Sequence, residues 1–499
     1  MWKLTKRRSY TVLEGVPTKK RIKMVCDVGS SAMFFSHPPQ LNFRARPIDM
    51  IIKYVLGASI MLNIYMMLSV TSNDQIFHSL SQSLTNSSSH SVSQSLSNAS
   101  SHSLSLSNAS SHVVSTSSDY LFQRSIGYAG SGNRIREKLA KASNGEDIKI
   151  GVLGGSISTG HKLEQKDKEV YHSVIFDWFT NKFPVGQHKL VNGAAPATGS
   201  SYFTYCHSKH IPDDLDIIFI EFSINDGSIY PTERGDGDPG ITKNMELLVR
   251  NLMQMPNKPA IVFLSFFSFK VDYYFNGQEA HMAIANYYDI PYISFKNAYY
   301  DHHNRFPNDV YTLFSSDEHH PNKEGHRMMS AFVIQYLESI QGPKAINSPD
   351  ADIPLLDMWT TRKHQASFFE LNPFCETFMD KTYKPSSMDG WYLMNWKKEK
   401  YYIASDTPGS RITFSVEASK GSVYMYILKS NQYDLGNVWC WADDDRDSGK
   451  ELSGHWEIGR SIGHMMLVSD SLSKGSHDIH CEVLDGEKTH FRIIAIFSG

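Results

Sequence analysis

The chain has 499 residues, a length that favours two globular units with accessory segments over a single domain. Its 52 acidic and 49 basic residues leave a formal net charge of -3, so the composition gives no indication of nucleic-acid binding. The basic residues are unevenly distributed, however, because eleven of them fall within residues 1–53.

Residues 50–70, MIIKYVLGASIMLNIYMMLSV, are almost continuously apolar. As a helix this run would be about 31 Å long, which matches a bilayer core and predicts a transmembrane helix. A long hydrophilic segment precedes it, which argues against a cleaved signal peptide. The Lys/Arg excess places the basic tail, residues 1–49, in the cytosol. We therefore expect a single-pass type II membrane protein of the Golgi or cell surface, anchored in the lipid bilayer, with the rest of the chain lumenal or extracellular.

Residues 71–118 are dominated by serine and contain an imperfect repeat, SLTNSSSHS, SLSNASSHS and SLSNASSHV. They offer almost nothing apolar to bury, which predicts a flexible stalk. Each repeat carries one Asn-x-Ser acceptor, at Asn86, Asn98 and Asn108, and the sequence has no other. Given the lumenal orientation we expect glycans on these three asparagines; the alternative is an undecorated serine linker.

Short apolar runs alternate with amphipathic ones in the next segment, which we assign to a first domain at 119–342. The predicted strands are 148–155, 189–193, 216–223, 260–267 and 291–295, and the predicted helices are 170–183, 241–255, 278–288 and 321–340. This alternation predicts an α/β fold with a doubly wound, mostly parallel sheet covered on both faces.

After a Pro-containing linker at 343–358 the pattern changes to alternating strands separated by turn residues, which predicts a β-sandwich over 359–499. Five of the eight tryptophans lie between residues 391 and 456, at Trp391, Trp396, Trp439, Trp441 and Trp456. They suit an aromatic platform for a carbohydrate, although core packing is the better expectation for any single one.

Five cysteines are present, and Cys26 falls in the cytosolic tail. The other four, Cys206, Cys375, Cys440 and Cys481, face an oxidising lumen and are even in number, which predicts two disulfides. Three connectivities are possible. We favour Cys440 with Cys481 inside the last domain, and Cys206 with Cys375 joining that region to the first domain.

Parallel sheets of this kind carry their sites at the carboxyl ends of the strands. Ser156 follows two glycines directly after the first predicted strand, and Asn225 follows the third. A serine hydroxyl is a weak nucleophile, so it needs a base within reach and a third group that fixes the base's tautomer. Asp317 and His320 are three residues apart, a spacing that lets a carboxylate and an imidazole meet locally. The amide of Asn225 is placed to bind a developing oxyanion.

Four segments in this order resemble the SGNH hydrolases, also called GDSL esterases: GGS at 154–156, a small-residue loop after the second strand, SIND at 223–226 and DEHHPN at 317–322. The resemblance covers about residues 147–341. It implies a flavodoxin-like doubly wound sheet and a serine esterase that needs no cofactor and no metal.

The resemblance also assigns roles to residues of this chain. It implies Ser156 as nucleophile, His320 as general base, Asp317 as the acid that orients it, and Asn225 as an oxyanion donor. The family spacing selects His320 and leaves the adjacent His319 as a flanking residue.

The chain departs from the family pattern at three positions. Gly155 stands where the family usually has Asp, and Ser223 stands where it usually has Gly. The glycine expected after the second strand falls near Ala197, with Gly199 close by in NGAAPATGS. The donor at that place is a backbone N–H, which alanine also has, so Ala197 and Gly199 both remain candidates for the oxyanion hole.

Other chemistries fit the sequence less well. The glycines before Ser156 lack the lysine of a P-loop and the spacing of a dinucleotide-binding loop. A metal held by the acids and histidines of 317–326 is disfavoured, because His320 and His326 lack the i, i+4 spacing of a zinc-binding helix.

The function expected from these features is a serine esterase acting on ester bonds, with the O-acetyl groups of a glycan as first choice and a lipid ester as second. An O-acyltransferase using the same acyl-enzyme, and a non-catalytic surface protein that binds glycan, are the alternatives.

Overall fold

The computed structural model describes residues 118–227, 240–270, 274–305, 307–341, 353–354, 357–358, 372–396 and 400–499. All of them belong to one compact unit that extends to Gly499. The predicted cytosolic tail, membrane span, stalk and glycosylation sites lie outside this part of the chain, as does most of the predicted linker. None of the helices in the described ranges is long and apolar enough to cross a bilayer.

The first domain is built on a six-stranded sheet. Its strands are β1 (Ile126–Tyr128), β2 (Lys149–Gly154), β3 (Lys189–Asn192), β4 (Ile217–Glu221), β5 (Ala260–Ser265) and β6 (Tyr292–Ser294). The order across the sheet is β1-β6-β5-β4-β2-β3. The strands β2 to β6 pair in parallel, and β1 adds antiparallel to β6 at one edge. The parallel strands have the flavodoxin-like order, which confirms the predicted α/β sheet, and β1 makes that sheet mixed.

Helices cover both faces of this sheet. They are α1 (Asn133–Ser143), α2 (Lys166–Glu169), α3 (Tyr171–Lys182), α4 (Ser200–Cys206), α5 (Ser223–Gly227), α6 (Gly240–Met253), α7 (Gly277–Tyr288), α8 (Phe295–Arg305), α9 (Pro307–Tyr311) and α10 (Lys323–Ser339). One apolar core contains residues of α1, α3, α8 and α10, and a second contains residues of α4, α6 and α7. The strands β4 and β5 are apolar up to their last residues, Glu221 and Ser265, because they are buried from both sides.

The second domain is a β-sandwich. Its strands are β7 (Phe374–Thr377), β8 (Ser387–Asp389), β9 (Tyr392–Trp396), β10 (Lys400–Ser405), β11 (Arg411–Ala418), β12 (Val423–Lys429), β13 (Asn437–Ala442), β14 (Lys450–Ser453), β15 (Ile462–Ser469), β16 (Gly475–Val483) and β17 (Phe491–Ser498). One sheet has the order β15-β12-β17-β10-β9, with β7 also paired to β17, and the other has the order β14-β13-β16-β11-β8. Alternating side chains of β11 and β13 enter the core between the sheets.

The helix α4 joins the two domains. All seven of its residues are buried, and the core around Tyr202 and Phe203 also contains Tyr426 and Phe497 of the sandwich. A buried side chain of this size contributes about 1.5–3 kcal/mol relative to an exposed one. The sandwich is therefore packed against the first domain through an apolar contact.

Both disulfides occur in the connectivity that we favoured. Cys440 and Cys481 are directly opposite each other on β13 and β16. Cys206, the last residue of α4, is bonded to Cys375 on β7, so the second bond crosses from the first domain to the sandwich. That bond fixes the chain at the contact where the two domains pack.

Candidate active site

Ser156, His320 and Asp317 form a hydrogen-bonded chain at the carboxyl end of the parallel sheet. The hydroxyl oxygen of Ser156 lies 2.8 Å from Nε2 of His320. Nδ1 of the same ring lies 2.8 Å from Oδ2 of Asp317. A carboxylate at Nδ1 keeps the proton there and leaves Nε2 free to accept the serine proton. His320 and Asp317 are 164 and 161 positions from Ser156 in the sequence, and the fold brings the three residues together as predicted.

The loop that carries Asp317 and His320 is closed at its base. The backbone N–H of Ser315 donates to the carbonyl of His320, and Phe314 pairs with Pro321 in an isolated bridge. Asn322 caps α10 with its side-chain oxygen and donates from its amide to the carbonyl of Phe314. The loop therefore has a fixed geometry before any substrate arrives.

The nucleophile sits on a turn that begins directly after β2. The carbonyl of Ser156 accepts hydrogen bonds from the Thr159 hydroxyl and from the backbone N–H of His161. Beneath the turn, the hydroxyl of Ser158 contacts the Tyr171 hydroxyl at 2.8 Å and the Glu221 carboxyl at 3.2 Å. Glu221 is fully buried, and burial raises its pKa to about 8. A neutral acid at this depth can donate a hydrogen bond, which suits a structural role under the nucleophile.

The protonation states of Asp317 and His320 are set by opposing effects. Burial favours the neutral form of Asp317, but hydrogen bonds from His320 and from the backbone N–H of His319 outweigh it and hold the pKa of Asp317 below its usual range. Burial lowers the pKa of His320 below 6.5, and the hydrogen bond and charge of Asp317 partly oppose that shift. At neutral pH the pair is therefore a carboxylate and a neutral imidazole, which is the state a general base requires.

The lowered pKa of His320 gives a pH-dependence prediction. Because the base works only when neutral, the acid limb of kcat/KM should have its midpoint below pH 6.5. Hydrolysis of an aryl acetate measured between pH 4 and 8 checks this, and an inflection above pH 6.5 would contradict it.

That measurement needs a stability control. Burial lowers the pKa of His172 to about 4 and that of His326 to about 3. The unfolded chain binds protons on these rings near pH 6.5, whereas the folded protein does not, so stability falls as the pH drops below about 6.5. Circular dichroism at each pH separates the titration of His320 from acid unfolding.

Asn225 approaches the nucleophile from α5. Its amide donates to the carbonyl of Thr198. A side chain at Gly155 would overlap the Asn225 amide, so the glycine that replaces the family's usual Asp gives Asn225 its place beside Ser156. Asn225 lines the same cavity as Ser156 and His320, and its second amide hydrogen is available for an oxyanion.

The segment after β3 offers the backbone donor. Ala197 lines the cavity and has a φ of 64°, a left-handed conformation that is usual for glycine. Gly199 does not line the cavity, because it caps α4 and a side chain there would overlap Asp226. Of the two candidates, the geometry therefore favours the backbone of Ala197.

A buried pair of side chains, Asp226 and His281, holds this segment in place. Asp226 accepts a hydrogen bond from the backbone N–H of Ser200 at 2.9 Å and lies 2.7 Å from Nε2 of His281. Both side chains are almost fully buried. Asp226 directly follows Asn225, so one short helix both presents the amide and anchors the start of α4.

Substituting Asn225 with alanine tests its assignment. Loss of one oxyanion donor should lower kcat by about 10²- to 10³-fold, with little change in KM because the bond strengthens in the transition state. Steady-state kinetics with an aryl acetate measure both constants, and an unchanged melting temperature shows that the fold is intact. Full turnover in the alanine variant would remove Asn225 from the mechanism.

The site opens into a cavity of about 430 Å³ that both domains line. The first domain contributes Ser156, His161, Ala197, Asn225, His319 and His320, and also Lys270. The sandwich contributes Lys400 and residues 458–462. Sequence reasoning missed this second wall, because IGRSI at 458–462 carries no chemical motif. The sandwich is thus part of the site and not only an appended module.

Two histidines beside the triad were not assigned a role from the sequence. The His161 ring packs edge-on against His320, with centroids 4.5 Å apart, and Nδ1 of His319 lies 2.7 Å from the Ser268 hydroxyl. His161, Asp317 and His320 bring ligand atoms within 4.8 Å of one another. A cation there would have to displace either Ser156 or Asp317 from His320, because both ring nitrogens of His320 are already engaged.

Solved structures of other proteins share the two-domain arrangement of this chain. A two-domain esterase active on acetylated mannans, crystallised with mannopentaose, superposes with a TM-score of 0.59 at 19% sequence identity, covering 76% of this chain and 97% of that chain. A crystal structure of a two-domain esterase active on acetylated mannans without the oligosaccharide superposes with a TM-score of 0.60 at 19% sequence identity, covering 76% of this chain and 98% of that chain. No protein-family model and no curated protein matches the sequence. The likeness shows the fold: a doubly wound α/β domain followed by a β-sheet domain.

Proposed function

We propose that the protein is a serine esterase of the SGNH type that removes O-acetyl groups from a glycan. The observation that carries the proposal is the chain of two 2.8 Å hydrogen bonds from Ser156 through His320 to Asp317. This chain ends in an open cavity lined by Asn225 and Ala197, where a substrate carbonyl has a nucleophile on one side and donors on the other.

The reaction follows from this geometry. Ser156 attacks the ester carbonyl, and Nε2 of His320 takes the serine proton. Asp317 stabilises the imidazolium, while the amide of Asn225 and backbone N–H groups hold the tetrahedral oxyanion. The C–O bond to the sugar then breaks, and His320 returns the proton to the sugar oxygen. Water then attacks the acyl-enzyme carbonyl while His320 takes its proton, and breaking of the bond to Ser156 releases acetate as His320 returns that proton to the serine oxygen.

Three features support a glycan ester over a lipid ester. The fold is shared, over both domains, with an esterase active on acetylated mannans. The cavity is rimmed by Lys270, Lys400 and Arg460, which suit a polar substrate. Its wall from the sandwich gives an extended substrate a second surface to contact.

The proposal includes a location. The apolar run at 50–70, the basic tail before it and the three acceptors Asn86, Asn98 and Asn108 support a type II protein of the secretory pathway with a glycosylated stalk. Two disulfides in the described residues fit the same oxidising compartment.

The test uses the purified full-length chain with an acetylated oligosaccharide, with and without an unacetylated acceptor sugar. Release of free acetate, matched by loss of acetyl groups from the sugar, is the expected result. Transfer of acetyl groups to the acceptor without free acetate would make the protein an acyltransferase. Absence of both reactions, together with no labelling of Ser156 by a fluorophosphonate, would leave the protein without a catalytic function.

A further inference from the structure

The catalytic cavity has an unbalanced charge. Lys270, Lys400 and Arg460 all line it, and no aspartate or glutamate does so among the residues that the structure describes. Asp317 lies behind His320 and is engaged with it. The interior surface that a substrate meets is therefore cationic.

Two of these cations come from opposite walls. Lys270 follows β5 in the first domain, whereas Arg460 lies in the sandwich loop before β15. In the described part of the chain, neither side chain forms an ion pair with a carboxylate. Both line the same cavity as His319, whose pKa is lowered by burial and by the charge of His320, raised by Asp317, and lowered to a smaller extent by Lys270 and Arg460.

The loop that carries Arg460 is held in place. The backbone N–H of Arg460 donates to the carbonyl of Ile458 at 2.7 Å, and the carbonyl of Arg460 accepts from Nε1 of Trp456 at 2.9 Å. Beyond it, the backbone N–H of Gly463 donates to the carbonyl of Ala197 at 2.9 Å, which ties the loop to the oxyanion segment. The backbone of Arg460, a half-buried residue, is therefore held at a fixed position relative to the segment that contains Ala197.

Arg460 is half-buried and has no carboxylate partner among the described residues, and a cation in that situation is suited to an anionic ligand. Guanidinium groups bind carboxylates and sulfates through paired hydrogen bonds, and a lysine opposite adds a second charge. Resting on the proposed function, we infer that the acetylated sugar is acidic. Its carboxylate or sulfate group binds between Arg460 and Lys270 while the acetyl ester lies at Ser156.

The test compares three substrates acetylated at the same ring position: a methyl glucosiduronate, the neutral methyl glucoside and the glucoside 6-sulfate. The full-length chain should show kcat/KM about 10- to 100-fold higher for an anionic sugar than for the neutral one, the range expected for a charge-assisted contact. Whichever anion is preferred identifies carboxylate or sulfate as the natural group. The preference should shrink at high salt because the cations are reached by solvent.

Substitutions locate the contact. Arg460→Gln and Lys270→Gln should each lower the anionic-to-neutral ratio towards one. Lys474→Gln is the matched control. The strand β15 runs roughly 23 Å from Ile462 at the cavity to Ser469, and the exposed Lys474 follows that far end. Its ratio should equal that of the unaltered protein.

The outcomes separate this inference from the proposed function. Hydrolysis of all three sugars with a ratio near one would overturn the inference and leave the esterase standing. A preference that survives both substitutions would overturn the assignment to Arg460 and Lys270. No hydrolysis of any sugar, with Ser156 unlabelled by a fluorophosphonate, would overturn the proposed function and the inference with it.

Discussion

Replacing Ser156 by alanine is expected to lower kcat for ester hydrolysis by about 10⁶-fold, the loss seen when a serine nucleophile is removed from a working triad. The hydroxyl that attacks the carbonyl is gone, and His320 has no proton to take. Hydrolysis of an aryl acetate gives the rate. Labelling by a fluorophosphonate, which needs the nucleophile and not the glycan pocket, should disappear in the same variant.

Ser208 provides the control, because it is an exposed serine outside the cavity. Ser208→Ala should keep full activity and full labelling. If Ser156→Ala were still labelled at the original rate, the nucleophile would have to be another residue, and the 2.8 Å contact with His320 would be structural only.

The second large effect is expected at Asp317. Changing it to asparagine leaves the side-chain shape but removes the charge and favours the wrong tautomer of His320, so kcat should fall by about 10⁴-fold. Asp317 also raises the pKa of His320 against the effect of burial. Without it that pKa should fall further, and the acid limb of kcat/KM should move to lower pH.

The shift of the acid limb distinguishes loss of the charge from general damage. A destabilised protein would lose activity without moving that limb to lower pH. Glu318→Gln is the neighbouring control, because Glu318 is exposed and its backbone, rather than its side chain, makes the hydrogen bond to Phe269. Equal losses in Asp317→Asn and Glu318→Gln would contradict the assignment.

The parallel sheet and the triad could be predicted because their physical signals are strong. Buried parallel strands such as β4 and β5 are apolar runs that end in a single polar residue, and α10 shows its apolar face at helical spacing. Ser156 and Asn225 follow such strands, whereas the Asp317–His320 pair lies in the loop just before α10. The strand ends indicate where the first two residues lie, and the local spacing together with the family resemblance indicates that the pair joins them.

Other elements give no such signal. The edge strand β1 has only three residues and is half-buried, so no alternation is visible. The helix α4, SSYFTYC, is buried on every side and therefore lacks the amphipathic pattern by which helices are recognised. The helix α8 begins directly after β6, without a turn residue to separate the two.

The second wall of the cavity could not be predicted for a different reason. Residues 458–462 acquire their role only because the sandwich packs on α4, and tertiary placement of a loop leaves no trace in its own sequence. The same holds for Lys270 and Lys400, whose charges are unremarkable until the fold directs them into one cavity.

The burial of α4 on both sides has a consequence for how the protein melts. The aromatic rings of this seven-residue helix lie in one core that both domains share, so neither domain can unfold without disrupting the core of the other, and the Cys206–Cys375 disulfide bonds the end of the helix to the sandwich. Scanning calorimetry of residues 118–499 should then give one endotherm rather than two. A form truncated near residue 341 would expose the apolar surface of α4 that the sandwich covers, and it should aggregate. Exchanging the carboxy-terminal domain for another would therefore require changes to that surface as well.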